Sequence, residues 1–241
     1  MAFTLMGLLS CKMHGDSGSA YEVEKFTTPG GNSVEITLIK HGSLAISYEG
    51  LSIQVDPVTG YGRRTDYAAE FPKADVILVT HEHGDHFDKD AIGALRKEGT
   101  VLVTNAACAG MLGWGKALSN GDTMLLPGDI TLEAVPAYNT TEGHLQFHPK
   151  GRDNGFVLDI DGLRIYIAGD TEDIPELADL KDIDIAFLPV NQPYTMTVKQ
   201  CVAAARVISP KVLIPYHFGK TDVSSIPAAL PGIDVRLRAM Q

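Results

Sequence analysis

A chain of 241 residues, 44% of them hydrophobic, can bury a full core, and α/β or sandwich folds of this length commonly form one domain. Its formal charge of −10 argues against nucleic-acid binding, which depends on lysines and arginines that neutralise phosphates. Three cysteines, at positions 11, 108 and 201, are too few and too unevenly placed for a disulfide framework.

In chain order, the first feature is Leu5-Met6-Gly7-Leu8-Leu9-Ser10-Cys11, which resembles a bacterial lipobox with Leu8 at the third position before the cysteine. Residues 12–20 are small, polar and rich in Gly and Ser, as a tether between lipid and domain would be. The first ten residues carry no Lys or Arg, however, and a secretory signal wants a positive start. Two locations stay open: the bacterial cell envelope as a lipoprotein, toward which the tether leans, and the cytoplasm. No other segment approaches the ~18 continuous apolar residues of a transmembrane helix, so membrane contact is expected through that lipid alone.

Residues 21–241 are expected to form one domain. Apolar or alternating runs at 34–39, 44–48 and 52–55, split by Gly-containing turns, predict an antiparallel meander that Asp56-Pro57 stops. Residues 58–72 show no period and suggest a loop near a site mouth, and 76–80 form the next strand. Asp88 can cap a helix that turns Ile92 and Leu95 inward and ends at Gly99; a strand at 100–103 comes next. Residues 106–118 read as helix despite three glycines, with Trp114 as a packing anchor and Cys108, like Cys201 further on, as a buried small hydrophobe.

A strand at 130–137 opens the second half, and runs at 156–160 and 163–168 flank Asp161-Gly162, the strongest hairpin signal in the chain. After a strand at 182–189, Thr197 and Gln200 make a capping box for a helix to Ile208; Pro210 stops it, and a buried strand at 211–215 comes after. Two β-rich halves with helices outside predict an α/β (α+β) fold, a four-layer αββα sandwich of two mixed sheets with helices on the outer faces.

The chemistry is concentrated in His81-Glu82-His83-Gly84-Asp85-His86, directly after Val76-Ile77-Leu78-Val79. In an extended segment alternate side chains share a face, so His81 and His83 can address one ion while the turn at Gly84 swings Asp85 and His86 toward a second. Glu82 then points away from both, and Asp85 stands where an H-E-x-x-H metalloprotease motif would need histidine. Asp170, ending Ile165-Tyr166-Ile167-Ala168-Gly169-Asp170, and His217, in Pro215-Tyr216-His217-Phe218-Gly219, each come after an apolar run. All these candidates fall at strand ends and can meet at one edge of the sandwich.

The order and spacing of HxHxDH, Asp170 and His217 resemble the metallo-β-lactamase superfamily over about residues 34–220. The phrases Val135-Pro136-Ala137-Tyr138-Asn139, Phe147-His148-Pro149-Lys150-Gly151, Ala168-Gly169-Asp170-Thr171 and Asn191-Gln192-Pro193-Tyr194-Thr195-Met196 are similar to the branch of metal-dependent hydrolases related to L-ascorbate-6-phosphate lactonase and N-acylphosphatidylethanolamine phospholipase D. The resemblance implies two divalent ions, with zinc foremost and manganese or iron also suited to N/O donors. It implies that His81, His83 and a third histidine hold the first, that Asp85, His86 and His217 hold the second with Asp85 also the catalytic carboxylate, and that Asp170 bridges. Between ions roughly 3.5–4 Å apart, a shared water becomes the nucleophile.

His144 and His148 compete as the third histidine; the Phe147–Gly151 phrase favours His148, leaving His144 as a loop residue or substrate contact. Asp56 is either an acceptor for a ligand histidine or a turn residue before Pro57, and His41 either lines the site or is structural. Asn191 and Tyr194, with Tyr138, Asn139, Lys150 and Tyr216, form the pool of further polar groups. The expected activity is hydrolysis of a small-molecule ester, lactone or phosphodiester; the alternative is a non-hydrolytic metal protein on the same scaffold, an iron redox enzyme or an envelope metal-binding protein.

Overall fold

A computed structural model of the chain describes residues 21–240. Cys11, the lipobox-like stretch and the tether lie outside the described residues. Two seven-stranded sheets are built by the same sequence of moves. In the first, β1 (Glu22–Thr27), β2 (Ser33–Lys40), β3 (Ser43–Tyr48) and β4 (Leu51–Val55) form an antiparallel meander, to which β5 (Val76–Leu78), β6 (Val101–Thr104) and β7 (Lys116–Ala117) add in parallel. In the second, β8 (Thr123–Leu126), β9 (Ile130–Ala137), β10 (Asp153–Ile160) and β11 (Leu163–Ile167) are antiparallel, and β12 (Ile185–Pro189), β13 (Val212–Tyr216) and β14 (Asp234–Val235) are parallel.

Parallel neighbours need crossovers, and the helices supply them. In the first half these are α1 (Tyr67–Glu70), α2 (Lys89–Leu95) and α3 (Ala106–Leu112); in the second they are a 3₁₀ turn at Pro175–Asp179, α4 (Val198–Ile208) and α5 (Ile226–Ala229). Strand alternation then sorts the side chains into layers. Val34, Ile36, Leu38, Val76 and Leu78 of the first sheet meet Leu132, Phe156, Leu158, Ile185, Phe187 and Ile214 of the second. The opposite faces pack on helices, Ile77 and Val79 against Ala91, Ile92 and Leu95, and Ala186, Leu188 and Leu213 against Cys201, Ala205 and Ile208. This is the αββα sandwich. Cys108 and Cys201 are buried, and burial pushes both thiols up to about 12, which leaves them inert hydrophobes at neutral pH.

The hairpin at Asp161-Gly162 forms with φ of 51° and 80°, the positive pair that a type I′ turn requires. The capping box at Thr197 and Gln200 is formed on both sides. Two helix boundaries differ from the sequence expectation. The helix capped by Asp88 ends at Leu95, and Gly99, with φ 83°, instead makes the turn into β6. The helix from Ala106 stops at Leu112 because Gly113 takes the left-handed C-cap, φ 72°, freeing Lys116–Ala117 to pair with β6. Beyond the expected elements, the chain also forms β1, β8 and β14 in the two sheets and α1 inside the aperiodic 58–72 stretch.

Candidate metal centre

The carboxyl ends of parallel strands are where backbone groups run out and loops can gather side chains around a ligand. Both sheets present those ends to the same edge. β4 leads to Asp56, β5 to Thr80 and His81, β11 to Asp170, β12 to Asn191 and β13 to His217, while the β2–β3 turn contributes His41. His41, Asp56 and His217 all hold left-handed backbones, φ 43°, 43° and 47°, which costs a non-glycine residue on the order of 1 kcal/mol. The surroundings hold them there: His217 N–H donates to His41 O at 3.1 Å, Asp56 N–H to Leu78 O at 2.9 Å, and Ser43 Oγ to Asp56 O at 2.6 Å. Gly42 must lack a side chain, since a Cβ there would sit 2.7 Å from His86 Cε1.

Two groups of donors result. One ligand atom from each of His81, His83, His148 and Asp170 lies within 4.8 Å of the others, and the same holds for His41, Asp85, His86 and His217. Asp170 stands between them. Its Oδ2 is 3.3 Å from His148 Nε2, 3.3 Å from His217 Nε2 and 3.8 Å from His81 Nε2, and its Oδ1 is 3.3 Å from His86 Nε2. Asp85 Oδ2 is 3.2 Å from His41 Nε2, 3.5 Å from His217 Nε2 and 4.0 Å from His86 Nε2. His148, not His144, joins the first group; His144 Nδ1 turns to Glu172 Oε1 at 3.6 Å. Glu82 points away, 3.0 Å from Asn105 Nδ2 and 3.3 Å from Arg152 Nε.

The outward nitrogens of three rings are fixed by buried partners, which decides where the lone pairs point. Asp56 accepts from Thr80 N at 2.7 Å, from Thr80 Oγ at 2.8 Å and from His86 Nδ1 at 2.8 Å. Because Thr80 Oγ spends its proton on Asp56, it accepts from His81 Nδ1 at 2.9 Å. One carboxylate thus orients two histidines, the second through a hydroxyl. His148 Nδ1 donates to Asp153 at 2.9 Å, and Arg152 holds that carboxylate through Nε at 2.7 Å and Nη2 at 2.8 Å. Each Nε2 of His81, His86 and His148 is therefore left as a bare acceptor facing the centre, and those of all three and of His217 are buried without a hydrogen-bond partner, as is Asp170 Oδ1. Acceptors aimed at one another with no donor between them are costly unless a cation joins them. Imidazole nitrogens with carboxylate oxygens fit a borderline or hard divalent ion.

The surrounding carboxylates favour a cation, proton or metal, on two of these rings, and a bound ion would take the place of the proton. Burial opposes charging His148, yet the Asp153 and Asp170 carboxylates outweigh it and lift its pKa to about 9. Burial likewise opposes charging His86, and Asp170 and Asp56 raise it well above the ordinary value. Burial would raise Asp170, but His217 and His86 hold it well below the usual carboxylate range. The pocket calls for positive charge at its centre.

Above the donors opens a cleft of about 420 Å³ lined by Tyr61, His83, Gly84, Asp85, Phe147, His148, Asp170, Asn191, Tyr194 and His217. Asn191 and Tyr194 are among the residues lining it, and the aperiodic 58–72 stretch supplies Tyr61. Other members of the polar pool are engaged elsewhere. Tyr138 Oη and Lys150 Nζ both reach Glu176, at 2.7 Å each, Tyr216 Oη donates to Gly169 O at 3.3 Å, and Asn139 Nδ2 to Tyr194 O at 2.9 Å.

Sequence reasoning missed Thr80, Asp153 and Glu172. The Arg152-Asp153 pair at the head of β10 was the available signal for the second. Glu172, buried, accepts on Oε2 from Thr140 N (2.7 Å), Thr140 Oγ1 (2.8 Å), Thr141 N (2.7 Å) and Thr141 Oγ1 (2.9 Å), tying down the loop that leads to His148. Burial would raise its pKa, but these donors lower it below the ordinary 4.5. A depressed folded pKa gives stability that is present above the unfolded value and lost as pH falls through the folded one. Glu172→Gln, which turns an acceptor into a donor, is expected to cost about 1–3 kcal/mol at pH 7 in urea unfolding, with the gap to wild type narrowing in acid. A gap that widens in acid would contradict this role.

The β-lactamase superfamily domain matches residues 35–217 of this chain. A metal-dependent hydrolase of Staphylococcus carnosus is 31% identical over 193 residues, 74% of this chain and 83% of that protein. One from Methanopyrus kandleri is 28% identical over 196 residues, 77% of this chain and 84% of its own length. A crystal structure of a candidate metal-dependent hydrolase from Parabacteroides distasonis superposes with a TM-score of 0.88 at 56% identity, covering 92% of this chain and all of that one. The family match runs from β2 through β13 and takes in every residue of the two donor groups, and on that ground the chain belongs to the metallo-β-lactamase superfamily and is one of its metal-dependent hydrolases.

Proposed function

We propose that this hydrolase uses two divalent metal ions, zinc first among those suited to the donors, to cleave an ester, lactone or phosphodiester bond in a small molecule. The observation that carries this reading is the set of buried Nε2 atoms and Asp170 Oδ1 that face one another without partners. His81, His83 and His148 would hold one ion, Asp85, His86 and His217 the other with His41 beside them, and Asp170 would address both. A metal pair bound there would lower the pKa of a water and polarise the scissile bond.

The chain's own groups then orient and exclude. Asp56, Thr80 and Asp153 hold the imidazoles in their tautomers, so the donors need no rearrangement during turnover. Burial, with Asp85 and Asp170 nearby, raises the Tyr61 pKa, which keeps its hydroxyl protonated as a donor at the cleft mouth. Asn191 and Tyr194 offer further polar contacts to a bound carbonyl or phosphoryl oxygen. The acidic chain and a cleft of this size favour a small molecule over nucleic acid.

Elemental analysis of protein purified without added metal, with a subsequent panel of lactones, phosphodiesters, carboxylic esters and β-lactams, tests the reading. The expected result is close to two ions per chain and turnover confined to one bond class. A chain that neither carries nor takes up metal, or that hydrolyses nothing when fully loaded, would overturn it.

A further inference from the structure

Two buried charges on opposite sides of the cleft hold loops. Lys40 donates to Thr59 O at 3.0 Å, Gly60 O at 2.7 Å and Arg63 O at 2.6 Å, wrapping that loop around its ammonium with Tyr61 at the tip. Across the cleft Glu172 pins Thr140 and Thr141, and Asn139 Nδ2 reaches Tyr194 O at 2.9 Å, linking the two loops that carry Phe147 and Tyr194. Those two rings meet edge to face, 5.0 Å between centroids at 70°. Yet Tyr61 remains 53% exposed and Tyr194 45% exposed. Aromatic side chains on loops tethered in this way and left open to water beside a reactive centre are placed to grip a flat ligand without ordering the loops first.

Charge narrows what they grip. Among the described residues, no Lys or Arg lines the cleft. The neighbouring cations are engaged: Lys40 with carbonyls, Lys150 with Glu176 and Arg152 with Asp153. Lys220 lies in a separate hollow behind Tyr61, with His41 and Met240. A substrate with an anionic tail would meet no Lys or Arg among the described residues that line this cleft.

We propose that the cleft takes an ester-type substrate bearing an uncharged aromatic or similarly flat apolar group next to the scissile bond, clamped between Tyr61 and the Phe147–Tyr194 pair. The proposal rests on the hydrolase reading above and narrows it to substrates whose non-reacting part is flat, apolar and uncharged.

Hydroxamates test it without turnover, because they chelate a metal and differ only in the attached group. On the metal-loaded full chain, calorimetry is expected to show benzohydroxamate binding at least about tenfold tighter than acetohydroxamate, the equivalent of 1.4 kcal/mol. Phe147→Ala and Tyr194→Ala each bring that ratio to within about threefold, whereas Tyr194→Phe retains it because the ring remains. A para-sulfonate on the benzohydroxamate ring weakens binding. Equal affinity for the two parent hydroxamates, a ratio indifferent to both alanine substitutions, or undiminished binding of the sulfonated ring overturns the proposal. A wild-type chain that takes up no metal brings down the hydrolase reading and the clamp together; metal uptake with equal hydroxamate affinities removes the clamp alone.

Discussion

Asp170→Ala is expected to abolish metal uptake at both positions and to cut kcat/KM on the order of 10³-fold or more, while leaving the metal-free fold nearly as stable as wild type. The reason is positional. Among the described residues, Asp170 is the one carboxylate within 4 Å of His81, His86, His148 and His217 together, so its loss removes shared negative charge from both donor groups. The scaffold does not depend on it, because His86, His148 and His81 are anchored from behind by Asp56, Asp153 and Thr80. Removing a buried carboxylate also removes its desolvation cost, which offsets part of the lost contact with the imidazoles. Thermal unfolding separates the two effects. A ligand at 100 times its Kd stabilises the native state by about 2.7 kcal/mol, so wild type is expected to gain strongly from metal and Asp170→Ala hardly at all, with the two alike in chelator. Full occupancy with unchanged turnover in the variant would reject the bridging role.

The parts of this centre that are legible in the sequence are those whose meaning is local. His81, His83, Asp85 and His86 lie within six residues of one another behind a buried strand, where period-two geometry and one glycine turn fix which face each takes. Asp170 and His217 can be found because a polar residue that ends an apolar run must leave the sheet at its edge. The choice between His144 and His148 has no such local basis, since the stretch between them is a series of turns without a period. The residue that holds His148 in place, Asp153, belongs to the next strand. Glu172 is invisible for a similar reason: a carboxylate is common, and what distinguishes this one is a pair of threonines more than thirty positions earlier.

The fold shows the same division. The hairpin at Asp161-Gly162 and the capping box at Thr197 are set by neighbouring residues, and both form where the sequence places them. The helix from Ala106 reads as too long because Gly113 has to be weighed as a terminator against the apolar residues around it. Its successor is a two-residue strand that exists only because β6 offers an open edge. β1 is hard to see because its alternation is inverted. Val23 is exposed, while the buried position beside it is Glu24, whose carboxylate is taken up by Arg236 and Arg238 more than two hundred residues later.

The substitution Asp56→Asn is expected to weaken metal binding by about 10- to 100-fold, with its first effect on the group that contains His86. The change keeps the shape of the side chain and alters only which atoms can accept. Asp56 Oδ1 receives Thr80 N–H and Oδ2 receives both Thr80 Oγ–H and His86 Nδ1–H. An asparagine can keep the backbone bond with its carbonyl, but its amide then presents hydrogens to two donors. His86 answers by moving its proton to Nε2, which turns a metal-facing lone pair into an N–H. Thr80 loses its acceptor, so its hydroxyl swings and the hold on His81 Nδ1 slackens as well. Asp153→Asn is the matching change behind His148 and is expected to weaken the other group first. Competition with a chromophoric chelator resolves two binding steps in wild type, and each variant is expected to shift a different one; in chelator alone Asp56→Asn costs about 1–3 kcal/mol from its lost hydrogen bonds. If both ions bind Asp56→Asn as tightly as wild type, the carboxylate does not set the tautomers, and the alignment of His81 and His86 must come from packing alone.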